Sequence, residues 1–100
     1  MLISKEILQT IPTLYATEEQ KNPTVHVKLF TPDSSWSWYI TEYDPKQRLC
    51  FGLVNGHELE LGYFNLNELE ELTGPMGLQV ERDISFKPLK LQELKKQLEC

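Results

Sequence analysis

The residues best suited to nucleophilic chemistry are Asp33, Ser34, Ser35 and His57. A serine becomes a nucleophile when an adjacent base takes its proton, and a histidine oriented by a carboxylate is a common base. Nothing like a Gly-x-Ser-x-Gly elbow surrounds either serine. The turn chemistry of Asp and Ser accounts for residues 33–35 equally well. We therefore expect a turn here rather than the site of a hydrolase.

Metal-binding chemistry would have to come from His26 and His57. These histidines fall on different predicted strands, and no Cys or Asp stands at ligand spacing from either of them. Cys50 and Cys100 lie half the chain apart, so they form no zinc or redox pair, and we expect two reduced thiols. The sequence predicts no bound metal or cofactor, and folding should not require one.

Four further carboxylates were considered as general acids or bases: Glu42, Asp44, Glu81 and Asp83. No spacing in the sequence fixes two of them around a substrate, as such catalysis requires. Arg48 and Arg82 offer ordinary ion-pair partners for carboxylates. We therefore interpret these residues as structural.

Acidic and basic residues are unevenly distributed along the chain. No Lys or Arg occurs between Leu49 and Gln79. A run of like charge is often only a solvated face, but it can also steer a partner of opposite charge. Five glutamates in this segment are candidate partner-binding residues: Glu58, Glu60, Glu68, Glu70 and Glu71.

Aromatic residues form a second candidate binding surface, made of Trp36, Trp38 and Tyr39. Strand alternation directs some of these rings to opposite faces. Trp and Tyr are frequent anchors of protein interfaces, but the same rings could fill a small core. Stacking on single-stranded nucleic acid is disfavoured, because such platforms lie in basic grooves. Partner contact and core packing both stay open for these three residues.

The composition excludes several classes of protein. The chain has 100 residues, of which 40% are hydrophobic and 25% charged, and this is typical of one globular domain, assigned here to residues 1–100. Its net charge of −5 disfavours direct nucleic-acid binding. No apolar run approaches the roughly 20 residues of a membrane span, and the first residues lack a signal-peptide pattern. We therefore expect a cytoplasmic protein.

The elements that position these residues follow from hydrophobic periodicity. Helical spacing of apolar residues after Ser4, a good N-cap, predicts a short helix over residues 4–11. Period-two alternation then predicts strands at residues 25–30 and 36–43. Turn-forming residues separate and follow these strands.

The most specific local signal is the pair Asn55-Gly56 between two apolar runs. Such a pair predicts an antiparallel hairpin, here over residues 49–64, with a type I′ turn. Strand parity sorts its side chains into two sets. The sets are an inward-facing group, Leu59, Leu61 and Tyr63, and an exposed group, Glu58 and Glu60.

The remaining chain alternates helix signals with turn residues. Asn65 is a suitable N-cap for a helix over residues 66–73, and a brief strand is predicted around 78–82. A last amphipathic helix is predicted to open at residue 88 or 89. Together these elements predict an α+β fold, in which an antiparallel meander of about four strands carries short helices packed mainly on one face.

Four strings of the chain carry a resemblance: LYATEE (14–19), VKLFTPDSSWSWYITEYDP (27–45), LCFGLVNGHELELGYFNLNELEEL (49–72) and GPMGLQVERDISFKP (74–88). They resemble a bacterial family of uncharacterised proteins, domain-of-unknown-function family 2958. The resemblance spans nearly the whole chain. It implies a compact accessory protein of plasmids, conjugative elements or phages, and it brings no catalytic residues.

With the acidic and aromatic surfaces, this resemblance favours a non-enzymatic protein-binding module of a mobile genetic element. Its expected partner is a host- or element-encoded protein with a basic surface, such as a host defence or nucleic-acid-handling complex. A structural or regulatory accessory of plasmid maintenance or transfer is the second interpretation, and a small hydrolase is the third. We expect a monomer or a weak homo-oligomer, with no membrane partner.

Overall fold

The computed structural model describes residues 2–16 and 21–99. Within these residues the chain forms seven strands and three helices, so the predicted α+β class is confirmed. In chain order the elements are α1 (Lys5–Leu8), β1 (Thr24–Val25), β2 (Val27–Phe30), β3 (Ser37–Asp44), β4 (Leu49–Asn55), β5 (Leu59–Asn65), α2 (Leu66–Glu71), β6 (Glu81–Arg82), β7 (Leu89–Lys90) and α3 (Leu91–Glu99).

The main sheet has five antiparallel strands in the order β5-β4-β3-β2-β6. The predicted four-strand meander is therefore present as β2 to β5, and β6 extends it. The strand predicted at 25–30 is split at His26, whose N–H donates to Ile40 O at 2.9 Å. Its first part, β1, pairs with β7 in a separate two-stranded sheet.

A β-bulge interrupts the pairing of the two longest strands. The register between β3 and β4 shifts at Thr41, between Ile40 and Glu42. On the facing strand, Gly52 approaches the β3 backbone so closely that an ideal Cβ would lie 1.8 Å from Tyr39 O. Only glycine fits at this position, which is the close backbone approach that a strand glycine often marks.

Both faces of the main sheet are buried against helices. Two of the three helices, α1 and α2, pack on one face, and α3 packs on the other. Side chains of successive β3 residues enter the two clusters in turn, as strand alternation requires. The first cluster centres on Ile3, Leu29, Trp38, Ile40, Cys50, Leu66 and Leu69, and the second on Val25, Tyr39, Leu53, Leu91 and Leu94.

The predicted helices are confirmed with shifted ends. α1 ends at Leu8 instead of residue 11, α2 ends at Glu71, and α3 begins at Leu91. Ser4 and Asn65 cap α1 and α2 with side-chain oxygens that accept backbone N–H groups. None of the described helices is long and apolar enough to cross a membrane.

The hairpin of β4 and β5 is confirmed, but its turn differs from the prediction. The two strands pair through seven residues each. The prediction of a type I′ turn at Asn55-Gly56 is wrong. Residues 56–58 form the connection, and neither Asn55 nor Gly56 has the positive φ that this turn needs. The Trp36 ring lies 2.3 Å from where a Cβ on Gly56 would be, and its centroid is 5.3 Å from that of His57. Tertiary packing on Trp36 therefore shapes the loop.

The burial predicted for β5 is only partly correct. Glu58 and Glu60 are exposed, as expected, and Leu59 is half-buried against the second cluster. Leu61 and Tyr63 were expected in the core, but 48% and 52% of their surfaces are exposed. Their face of the sheet was inferred correctly. The prediction fails because β5 is an edge strand, and α3 covers the central strands of that face.

Candidate partner-binding surface

Four of the five candidate glutamates are exposed along the edge strand, the loop before it and the helix after it. Glu58 lies in the hairpin loop, Glu60 lies on β5, and Glu68 and Glu71 lie on α2. Since α2 begins directly after β5, these carboxylates flank both ends of the edge strand. Within residues 2–16 and 21–99, none of them takes part in an ion pair. We call Glu58, Glu60, Glu68 and Glu71 the acidic surface.

Glu70 has a structural partner that the sequence did not indicate. The Arg48 guanidinium donates to both its carboxylate oxygens, with Nη1 to Oε1 at 2.8 Å and Nη2 to Oε2 at 3.1 Å. Leu2 N–H also donates to Oε2, at 3.0 Å. The hydrogen bonds from Arg48 lower the pKa of Glu70, and they raise the pKa of Arg48. Glu70 therefore fastens α2 to the turn between β3 and β4 and is not available to a partner.

We expect Glu70→Gln to lower the free energy of unfolding by about 1–2 kcal/mol at pH 7, since it removes a charged, two-point contact that is only partly exposed. The folded state lowers the pKa of Glu70 below its unfolded value of about 4.3. This stabilisation is therefore present above that pH and is lost as the pH falls through the lower folded pKa. Urea unfolding between pH 7 and pH 3 measures it.

Glu68→Gln on the same helix is the matched control, because Glu68 is exposed. It should leave the free energy of unfolding at pH 7 unchanged within about 0.5 kcal/mol. The role assigned to Glu70 would be contradicted by equal stabilities of the two variants at pH 7.

The aromatic candidates separate by burial. Trp38 is 6% exposed in the first cluster, and Tyr39 is 2% exposed in the second, on opposite faces of β3. Trp36 is half-buried, with its ring centroid 6.1 Å from that of Trp38. Of the two interpretations left open by the sequence, core packing therefore describes Trp38 and Tyr39. Trp36 supports the hairpin loop that carries Glu58.

A partly exposed apolar group lies on the edge strand and its neighbour. It consists of exposed Leu61 and Tyr63 on β5 and half-buried Phe51 on β4, which we call the edge patch. Phe51 and Tyr63 are cross-strand neighbours with ring centroids 4.9 Å apart. Sequence reasoning placed Leu61 and Tyr63 in the core, because alternation identifies a face of a strand but does not show how far a helix covers it.

The residues considered for nucleophilic chemistry hold loops together. Asp33 Oδ2 accepts the backbone N–H groups of Met76, at 2.7 Å, and Leu78, at 3.3 Å. The Ser34 hydroxyl accepts Trp36 N–H at 3.2 Å. His57 packs edge-on against Trp36. These contacts agree with the predicted turn at residues 33–35, and they give Asp33 a second role in fastening the distant loop.

The four carboxylates considered as acids or bases have separate surroundings. Glu42 is buried, and its Oε1 accepts Tyr15 N–H at 2.9 Å. Asp83 pairs with Lys28, at 3.7 Å, instead of with Arg82. Asp44 is the last residue of β3, and Glu81 is the first residue of β6.

The described histidines and cysteine form neither a metal site nor a reactive thiol. No three His, Cys, Asp or Glu side chains among residues 2–16 and 21–99 are grouped so that they could hold a metal ion. Burial lowers the pKa of His26. Burial raises the pKa of Cys50 to about 12, so this thiol stays protonated and unreactive. Cys100 lies outside the described residues.

These features define the class: a small α+β protein whose exposed edge strand carries apolar and acidic side chains. A family model described as "Protein of unknown function (DUF2958)" matches residues 2–96. The chain therefore belongs to this family, as its motifs indicated. Searches of curated proteins and of solved structures found no match.

Proposed function

We propose that this protein is a non-enzymatic protein-binding module that engages a basic partner through the acidic surface and the edge patch. The observation that carries the proposal is their adjacency: exposed Leu61 and Tyr63 share β5 with exposed Glu60. Protein interfaces combine apolar anchors with a polar rim. Leu61 and Tyr63 lie on one face of β5 and Glu60 lies on the other, so a partner that packs along this exposed edge would contact both.

The charge pattern around this surface favours a basic partner. No Lys or Arg lies between Leu49 and Gln79, and the nearest preceding cation, Arg48, is engaged by Glu70. The field of the four exposed carboxylates is therefore not cancelled by cations of the same segment. At physiological salt the Debye screening length is about 8 Å. This field would therefore accelerate the encounter with a positively charged surface that comes close to the carboxylates.

The expected partner is a protein whose basic surface binds nucleic acid. Proteins that handle nucleic acid carry basic surfaces for the phosphate backbone, and an acidic protein can occupy such a surface. The resemblance to proteins of plasmids, conjugative elements and phages supports a host defence or nucleic-acid-handling complex as the target. Binding would then inhibit that complex by blocking its basic surface.

Reversing all four charges of the acidic surface should slow association with a basic partner protein at least about tenfold at low salt. The variant combines Glu58→Lys, Glu60→Lys, Glu68→Lys and Glu71→Lys. It should also flatten the dependence of the association rate on salt. Surface plasmon resonance from 50 to about 300 mM salt measures both effects. The fold should persist, because these side chains are exposed.

A matched control reverses four other exposed glutamates and so changes the net charge equally: Glu6, Glu81, Glu93 and Glu99. This control should retain most of the association rate and its salt dependence. If both variants lost binding to the same extent, total charge alone would explain association, and the proposed surface would be refuted. Glu70 is left unchanged in both variants because its reversal would break the contact with Arg48.

A further inference from the structure

The outer edge of β5 has the features of a strand that can accept another strand. β5 is the outermost strand of the sheet, and it pairs with β4 through all seven of its residues without a bulge. Along such an edge, alternate residues direct backbone N–H and C=O groups away from the sheet. Native edges of this length are usually protected by charged side chains, especially Lys, by Pro or by a bulge. The β5 sequence, LELGYFN, contains no Lys or Pro, and its one charged residue is Glu60.

The two faces beside this edge differ in character. On one face, Leu61 and Tyr63 of the edge patch are about half exposed. On the other face, Glu60 is exposed, and no atom lies within 4 Å of an ideal Cβ on Gly62. A strand added beside β5 would therefore meet apolar side chains on one face and a carboxylate with open space on the other.

These faces specify the chemistry of the added strand. Because side chains alternate along a strand, a complementary segment has apolar residues at every second position and Lys or Arg between them. The glutamates Glu58 and Glu68, before and after β5, extend the negative charge beyond its ends. A second copy of this chain is a poorer match, since each copy carries a net charge of −5.

We propose that β5 receives an extended segment of the partner, in which apolar residues alternate with Lys or Arg, as a sixth strand of the sheet. This inference rests on the proposed function and specifies its binding mode. Main-chain hydrogen bonds along the edge supply affinity, the edge patch selects the apolar positions, and Glu60 selects the basic ones.

The test uses two synthetic nine-residue peptides of alternating Lys and Val. One is unmodified, and the other is N-methylated at every residue, which removes the backbone donors of both edges but keeps all side chains and charges. We expect the unmodified peptide to bind at least about tenfold more tightly. It should also slow hydrogen exchange at alternate β5 amides of isotope-labelled protein.

A pair of exposed leucines provides matched variants. Leu61→Lys places a cation on the edge patch and should weaken binding of the unmodified peptide at least about tenfold. Leu78→Lys changes a residue of nearly equal exposure, 47% against 48%, outside β5 and should leave binding unchanged. Both substitutions are at exposed positions and should leave the fold intact.

The possible failures are distinguishable. Equal binding of both peptides, lost on reversal of the acidic surface, would refute strand addition and leave the proposed function standing. Absence of binding by either peptide, with a partner interaction insensitive to charge reversal, would refute both. Self-association that Leu61→Lys abolishes, without peptide binding, would assign the edge to a second copy and overturn the proposal.

Discussion

Gly52→Ala is expected to lower the free energy of unfolding by about 3 kcal/mol, because the added methyl group cannot be accommodated. Its Cβ would lie 1.8 Å from Tyr39 O and 3.2 Å from Ile40 Cα. Both are backbone atoms of the neighbouring strand, so no change of a side-chain rotamer relieves the clash. The strands would have to separate beside the bulge at Thr41. Urea or thermal unfolding monitored by circular dichroism measures the loss.

Gly62→Ala is the matched control for this prediction. Gly62 is the cross-strand partner of Gly52, but nothing lies within 4 Å of its ideal Cβ. Its substitution should change the free energy of unfolding by no more than about 0.5 kcal/mol, since the site is open. Equal midpoints for the two variants would show that the close approach at Gly52 does not exist in solution.

The comparison of these glycines shows what the sequence could specify about the sheet. Glycine inside a strand often marks a bulge or a close backbone approach, since glycine weakens a strand unless something requires it. Only the structure separates the two glycines, because the tight position depends on the bulge in the facing strand. Pairing between β4 and β5 was predictable from local alternation and the Asn55-Gly56 pair. The geometry of the turn was not predictable from local sequence, because it depends on packing against Trp36.

The candidate site was predictable in the same limited sense. Exposure of Glu58 and Glu60 followed from strand parity. The contact of Glu70 with Arg48 joins residues 22 positions apart, and no periodic pattern reports such a pair. The exposure of Leu61 was also not predictable from local sequence, because the position of a strand at the edge of a sheet depends on the whole topology.

Trp38→Ala should lower the free energy of unfolding by about 3–5 kcal/mol, the usual cost of removing a buried tryptophan from a core. Trp38 is 6% exposed and packs in the first cluster, where its removal leaves a cavity. Single domains have a total stability of about 5–15 kcal/mol, so this variant should be close to unfolding at ordinary temperatures. Unfolding in urea at low temperature measures the difference from the wild type.

Trp36→Ala separates the core role of Trp38 from a contact role at the surface. Trp36 is half-buried, so its substitution should lower the free energy of unfolding by less, about 1–2 kcal/mol. Its ring supports Gly56 and His57, and this variant should therefore slow association with a basic partner by disturbing the loop that carries Glu58. Folded Trp38→Ala should bind that partner normally, because the ring it removes is almost fully buried in the first cluster. Loss of binding by Trp38→Ala at unchanged stability would instead make the aromatic strand the contact surface.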